Sequence, residues 1–151
     1  MTTVVRDAAP GDGPGIAALI TKEAPHFDLK GYPDDVWPDT MVVLVAEVAG
    51  RVVGWLEGIL DGAYAGAAAP APAPHGYVLA VVVDGGLRRQ GIGTALITAF
   101  LEEARAEKVE WVFLIPEGGE GFEGRVRFFD RVGFTPVEDH DEDRLVMGAW
   151  T

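Results

Sequence analysis

The chain predicts an α/β domain built on a mixed sheet, and three stretches carry that prediction. "MVVLVAEVAGRVVGWLEGILDG" holds two β-rich runs joined at Ala49-Gly50-Arg51, a tight hairpin signal. "YVLAVVV", Tyr77 to Val83, is apolar and β-branched almost throughout, the composition of a central strand covered on both faces. Directly after it a glycine-rich turn leads into helical periodicity, with Ile92, Leu96, Ile97, Phe100, Leu101 and Ala104 on one face and Glu102, Glu103, Arg105, Glu107 and Lys108 on the other.

The remaining elements fall around these. Val4-Val5 reads as a short strand, followed by a helix opened by Asp12 with Pro14 in its first turn and Ile16, Leu19 and Ile20 as its apolar stripe. "PHFDLKGYPDDVWPD" has three prolines and no sustained period, so it is expected to be a loop with one helical turn at most. "AYAGAAAPAPAPHG" alternates alanine and proline, which favours extended polyproline II and blocks helix and ladder alike, and His75 beside it is expected to be exposed. Trp111 to Ile115 is a buried strand ended by Pro116. "GRVRFFDRVGF" is a second amphipathic helix closed by Gly133, and "TPVEDHDEDRLVMGAW" reads as two strands around an acidic turn. The order is βα, loop, ββ, β, α, β, α, ββ, with no repeat and no linker, so one domain over residues 1–151 is expected.

A chain of 151 residues can bury about 68–70% of the surface its unfolded form exposes, so no covalent staple is needed. The absence of cysteine excludes disulfides, a thiolate nucleophile and cysteine-ligated zinc, and no metal site is expected. No apolar run approaches the ~18 residues of a membrane span, and the N-terminus lacks the pattern of a signal peptide, so a cytoplasmic location without membrane attachment is the expectation. With 24 acids against 12 bases the chain would repel a nucleic-acid backbone. Five of those bases, Arg88, Arg89, Arg125, Arg127 and Arg131, cluster in two short segments where an anion could bind.

The turn after the central strand carries the chemistry. Glycines let the backbone approach a ligand closely, and the first N–H groups of a helix lack an intrahelical acceptor, so strand, turn and helix N-terminus together form a cradle for phosphate. A P-loop is excluded because Ile92 stands where its lysine must be, and the dinucleotide fingerprint meets Leu96 in place of its third glycine. Arg88-Arg89-Gln90-Gly91-Ile92-Gly93 instead resembles the [Q/R]-x-x-G-x-[G/A] acyl-coenzyme A signature of the GNAT-type N-acetyltransferases. "RFFDRVGFTPV" resembles that family's second motif at the expected distance, and "VVRDAAPGDGPGIAAL" resembles its usual opening.

The resemblance covers essentially the whole chain and implies a single GNAT domain: a mixed, mostly antiparallel sheet of about six or seven strands, flanked by helices, with its central strands splayed. It implies acetyl coenzyme A as co-substrate, with Arg88, Arg89, Gln90, Gly91, Ile92, Gly93 and Thr94 presenting amides and a guanidinium to the pyrophosphate. Val81, Val82 and Val83 would lend main-chain groups to the pantetheine arm. The implied reaction is direct attack of a neutral amine on the thioester, the Val82 N–H stabilising the oxyanion.

The sequence departs from the family pattern at the acid, where Phe129 replaces the usual tyrosine, and at Phe122, where asparagine is common. For the base, Glu57 is the first candidate, an acid in the otherwise apolar "VVGWLEGIL"; the competing reading has it facing solvent on an alternating strand. His75 and Tyr77 are weaker candidates for proton relay, and Tyr32 and Trp37 are candidates to line a ligand site. The acceptor is expected between the loop bearing Asp28, Asp34, Asp35 and Asp39 and the hairpin bearing Glu138, Asp139, Asp141, Glu142 and Asp143. Two acidic runs on one rim would attract a cationic small-molecule or peptide amine, unless both are solvated faces. A non-catalytic acyl-coenzyme A sensor and an interaction module remain open, and so does the oligomeric state, homodimer included.

Overall fold

The structure, a computed structural model, describes residues 2–138 and 144–151. Seven strands form one sheet in the order β1-β2-β3-β4-β5-β7-β6, where β1 is Thr3–Asp7, β2 Met41–Val48, β3 Arg51–Gly62, β4 His75–Val83, β5 Trp111–Leu114, β6 Thr135–Pro136 and β7 Met147–Trp150. The sheet is mixed: β4 and β5 are parallel, and β1–β2, β5–β7 and β6–β7 are antiparallel. The helices are α1 (Gly13–Glu23), α2 (Ile92–Ala106) and α3 (Phe122–Arg131). Among the described residues no helix is long and apolar enough to cross a membrane.

Two compact sets of contacts divide the chain, Met1–Gly58 with Ala80–Phe100 and Ile59–Leu79 with Leu101–Thr151. In the first, α1 lays Ile16, Leu19 and Ile20 against Val43, Val45, Trp55 and Val82 of the strands. Each such side chain, once covered, contributes about 1.5–3 kcal/mol. Asp12 stands at the N-cap position as its sequence context predicts, but its carboxylate reaches back to the Ala9 N–H and to Arg6. The Gly13 N–H is taken instead by Asp35, 22 residues on. The β2–β3 hairpin turns through Ala49 and Gly50, both at positive φ, as a two-residue hairpin loop matching strand twist requires.

In the second set, Trp111, Phe113, Tyr64, Tyr77 and His75 stack at centroid distances of 4.4–5.8 Å. His75 is buried, not exposed. Its Nδ1 accepts the Tyr64 N–H and its Nε2–H donates to the Ala71 carbonyl, so the ring ties down the start and the middle of the Ala-Pro loop. With both nitrogens engaged, His75 is spent on structure. β4 begins at His75 and its pairing with β5 covers only Gly76, Tyr77 and Val78, after which β4 runs on to Val83.

Helix α3 ends in a Schellman motif: the Gly133 N–H bonds the Asp130 carbonyl, the Phe134 N–H bonds the Phe129 carbonyl, and Gly133 sits at φ +105°. The hydrophobic contact that accompanies this motif is Phe129 against the fully buried Phe134. Arg125 donates to the carbonyls of Glu117, Gly118 and Glu120, so one of the five clustered arginines is committed to its own loop.

Candidate active site

The turn after β4 divides into a braced half and an open half. Asp84 is buried and accepts the Gly86 N–H, its backbone N–H bonds the Val53 carbonyl, and its other oxygen faces Lys22 at 3.1 Å and Arg51 at 3.3 Å. The Gly86 N–H and the Lys22 ammonium hold its carboxyl below the usual carboxylate range. Glu23 takes the Gly85 N–H and lies 3.8 Å from Arg88. The first three amides after Asp84 are thereby committed, since Leu87 also donates, to the Asp84 carbonyl.

Arg88, Arg89, Gln90, Gly91 and Thr94 are exposed and Gly93 is half-buried, while Ile92 anchors the helix in the core. Arg89 and Gly91 both have positive φ, at 68° and 78°. A Cβ at Gly91 would meet no atom within 4 Å, so glycine is favoured there by backbone conformation, not by packing. The Gly91 carbonyl accepts the first helical bond, from Ala95, which leaves the N–H groups of Ile92, Gly93 and Thr94 without an acceptor inside α2. The half of the turn that the sequence marks for phosphate is the half that the protein leaves open.

The second feature is a pocket of about 450 Å³. Its polar lining is Lys30, Tyr32 and Glu57, and its apolar lining includes Val36, Trp37, Pro38 and Met41. Glu57 is 4% exposed, which removes the solvent-facing reading. Its Oε1 accepts the Tyr32 hydroxyl at 2.7 Å and its Oε2 faces the Lys30 ammonium at 2.9 Å. Burial first, and then the bond to Glu57, push the Tyr32 phenol well above its ordinary value, so it stays a donor. Tyr32 packs in the same cluster as Trp55 and Val82, and its ring stands 5.7 Å from Trp37.

Local geometry aims these groups. Lys30 and Asp35 are in the left-handed region, at φ 51° and 57°, flanking a single 3-10 turn at Tyr32–Asp34. The Lys30 N–H bonds the Asp28 carboxylate, and Asp35 caps α1, so two acids assigned to a cation-attracting rim are holding the loop's shape. A side chain at Gly31 would run into the Val36 carbonyl, which is how closely the loop folds on itself. Lys30 carried no sequence signal, because nothing local marks it as the partner of a residue 27 positions away. Asp139, Asp141, Glu142 and Asp143 lie outside the described residues. Among the described residues no group of three or more His, Asp or Glu is placed to hold a metal ion.

Residues 16–134 match the sequence profile of the Acetyltransferase (GNAT) family. The chain belongs to that family. A search of curated proteins by sequence finds no match. Among solved structures, AAC(6')-Iy in complex with the bisubstrate analog CoA-S-monomethyl-acetylneamine is similar at TM-score 0.77 and 15% identity, over 95% of this chain and 98% of that one. The ribosomal-protein-S18-alanine N-acetyltransferase from Escherichia coli is similar at TM-score 0.74 and 12% identity, over 99% and 94%. PaiA N-acetyltransferase from Thermoplasma acidophilum, in complex with coenzyme A, is similar at TM-score 0.72 and 12% identity over the full length of both chains. At these identities the similarity establishes the GNAT fold, a mixed seven-stranded sheet with three helices.

Proposed function

We propose that the protein transfers the acetyl group of acetyl coenzyme A to a primary amine bound beside Glu57. The turn Arg88–Thr94 takes the pyrophosphate on its open amides and guanidinium groups, and Val81, Val82 and Val83 carry the pantetheine arm by main-chain contacts. The amine nitrogen attacks the thioester carbonyl, the Val82 N–H takes the developing oxyanion, and Glu57 accepts the proton the nitrogen sheds. The C–S bond breaks and the thiolate leaves to solvent. The observation that carries this reading is a buried carboxylate opening on a pocket, with its tyrosine partner packed in the cluster that holds Val82.

The test is thiol release from acetyl coenzyme A with an amine panel, in wild type and Glu57→Gln. A general base contributes about 10²- to 10⁴-fold, and the variant should lose that much kcat while its coenzyme-induced rise in Tm stays unchanged. An unaltered pH–rate profile would return Glu57 to a structural role. A second reading, a non-catalytic acyl-coenzyme A sensor, is favoured by Phe129, which has no proton for the thiolate and whose ring packs on Phe134. It predicts binding without turnover of any amine.

A further inference from the structure

The Glu57 pocket contains a cation as well as an anion, and the cation restricts what can enter. Lys30 Nζ sits 2.9 Å from Glu57 Oε2, with the lysine side chain 53% exposed and that of Glu57 5% exposed. A buried carboxylate needs its partner, whereas the half-exposed ammonium can swing on its four-carbon stem. Lys30 is not an incidental surface lysine: its backbone is held at φ 51° by the bond from its N–H to Asp28, and its side chain lines the pocket. An acceptor ammonium that pairs with Oε2 of Glu57 competes with Lys30 Nζ for that oxygen.

For a simple monocation this exchange is poor. It leaves two ammonium groups beside one carboxylate, and a polycationic acceptor adds further like charge. An acceptor with a carboxylate next to its amine resolves the conflict, because its ammonium pairs with Glu57 while its carboxylate pairs with the displaced Lys30. One internal ion pair becomes two. The rest of the lining, Val36, Trp37, Pro38 and Met41, offers apolar and aromatic surface and no further charge, and about 450 Å³ lies in the range of small-molecule sites.

Resting on the assignment of Glu57 as the acceptor-side base, we infer that the acceptor is a zwitterion of the α-amino acid type with an apolar or aromatic side chain. Lys30 is then a specificity residue that binds the substrate carboxylate.

The experiment compares matched acceptors that differ only in the carboxylate: phenylalanine against 2-phenylethylamine, and leucine against 3-methylbutylamine, each with acetyl coenzyme A and the full chain. Wild type should favour the amino acid in kcat/KM by at least about tenfold, the lower end of what losing a hydrogen bond to a charged group costs. Lys30→Met should bring the ratio near one by raising KM for the amino acids, and Lys30→Arg should keep the preference. Equal or better use of the decarboxylated amines by wild type overturns the zwitterion inference while leaving the Glu57 reading intact, because Glu57→Gln would still silence both. Coenzyme binding with no turnover of either member of the pairs overturns the zwitterion inference, and only if no amine of the panel is turned over does the transferase reading fall with it.

Discussion

The two halves of the candidate site are made in opposite ways. The turn after β4 is exposed, presents backbone N–H groups without an acceptor inside α2, and is contiguous from Arg88 to Thr94. The Glu57 pocket is buried at its carboxylate, presents side chains, and draws Glu57 together with partners 25 and 27 positions away. A site built from main chain is specified by where side chains are absent, so glycine and exposure are its signature. A site built from side chains depends on tertiary packing to bring them together, and is robust only if each buried polar group has its partner.

The contrast is broken most severely at Gly91. Gly91→Glu places a carboxylate on the open half of the turn and should weaken acetyl coenzyme A at least about 100-fold, some 2.7 kcal/mol, measured by calorimetry on a folded variant. Gly91→Ala is the matching control. Its Cβ meets nothing within 4 Å, so the cost is confined to left-handed backbone strain of about 1–2 kcal/mol in stability, with binding largely kept. If the glutamate variant binds normally, the phosphate cradle is not there.

The same contrast explains what was legible in the sequence. The hairpin at Ala49-Gly50, the β4–turn–α2 unit and the glycine end of α3 were readable because each is a local pattern of periodicity and turn chemistry. The boundaries moved by a few residues: β4 starts at His75 and not Tyr77, β5 stops at Leu114 and not Ile115, and α3 starts at Phe122. Glu57 stood out as an acid in an apolar strand, but its burial could not be decided, because a strand alternates faces and only the neighbouring loop determines which is covered. Tyr32 and Trp37 were marked by being aromatic in an aperiodic loop, and both line the pocket. Lys30 and the buried role of His75 were invisible, since one depends on a contact across the fold and the other on how the Ala-Pro loop wraps its ring.

Removing the hydroxyl of Tyr32 attacks the pocket without touching its shape. Tyr32→Phe deletes a 2.7 Å bond to a buried carboxylate and should cost about 1.5–3 kcal/mol in urea unfolding at pH 7. The pH dependence has a definite sign. The folded state holds the phenol proton more tightly than the unfolded chain, so this stabilisation is fully present below the ordinary tyrosine value of about 10 and is lost as pH rises beyond it. Wild type should therefore lose stability from about pH 10 upward faster than Tyr32→Phe. Parallel alkaline limbs would show that Tyr32 ionises freely and does not anchor Glu57. A fall in kcat far larger than the stability loss accounts for would add Tyr32 to the proton path.

The smallest effect is expected where the same kinds of group meet nearer the solvent. Arg6 lies between two acids, 2.7 Å from Asp12 and 3.2 Å from Glu47, but its side chain is 35% exposed. Solvent screening reduces such a pair, so Arg6→Gln should cost only about 1 kcal/mol at neutral pH and leave kcat/KM unchanged. Arg6, through its hydrogen bonds, holds the Asp12 carboxyl below the usual carboxylate range. That stabilisation is present above the unfolded value of about 3.9 and is lost as pH falls through the lower folded value, so the two proteins should converge in strong acid. Urea curves at pH 7 and about pH 2 measure the gap directly. A gap that persists in acid would mean that Arg6 acts by packing its aliphatic stem and not by pairing its charge. A loss of activity would mean that this cluster, too, belongs to the site, and that burial is not what separates the ion pairs that do chemistry from those that only hold the fold.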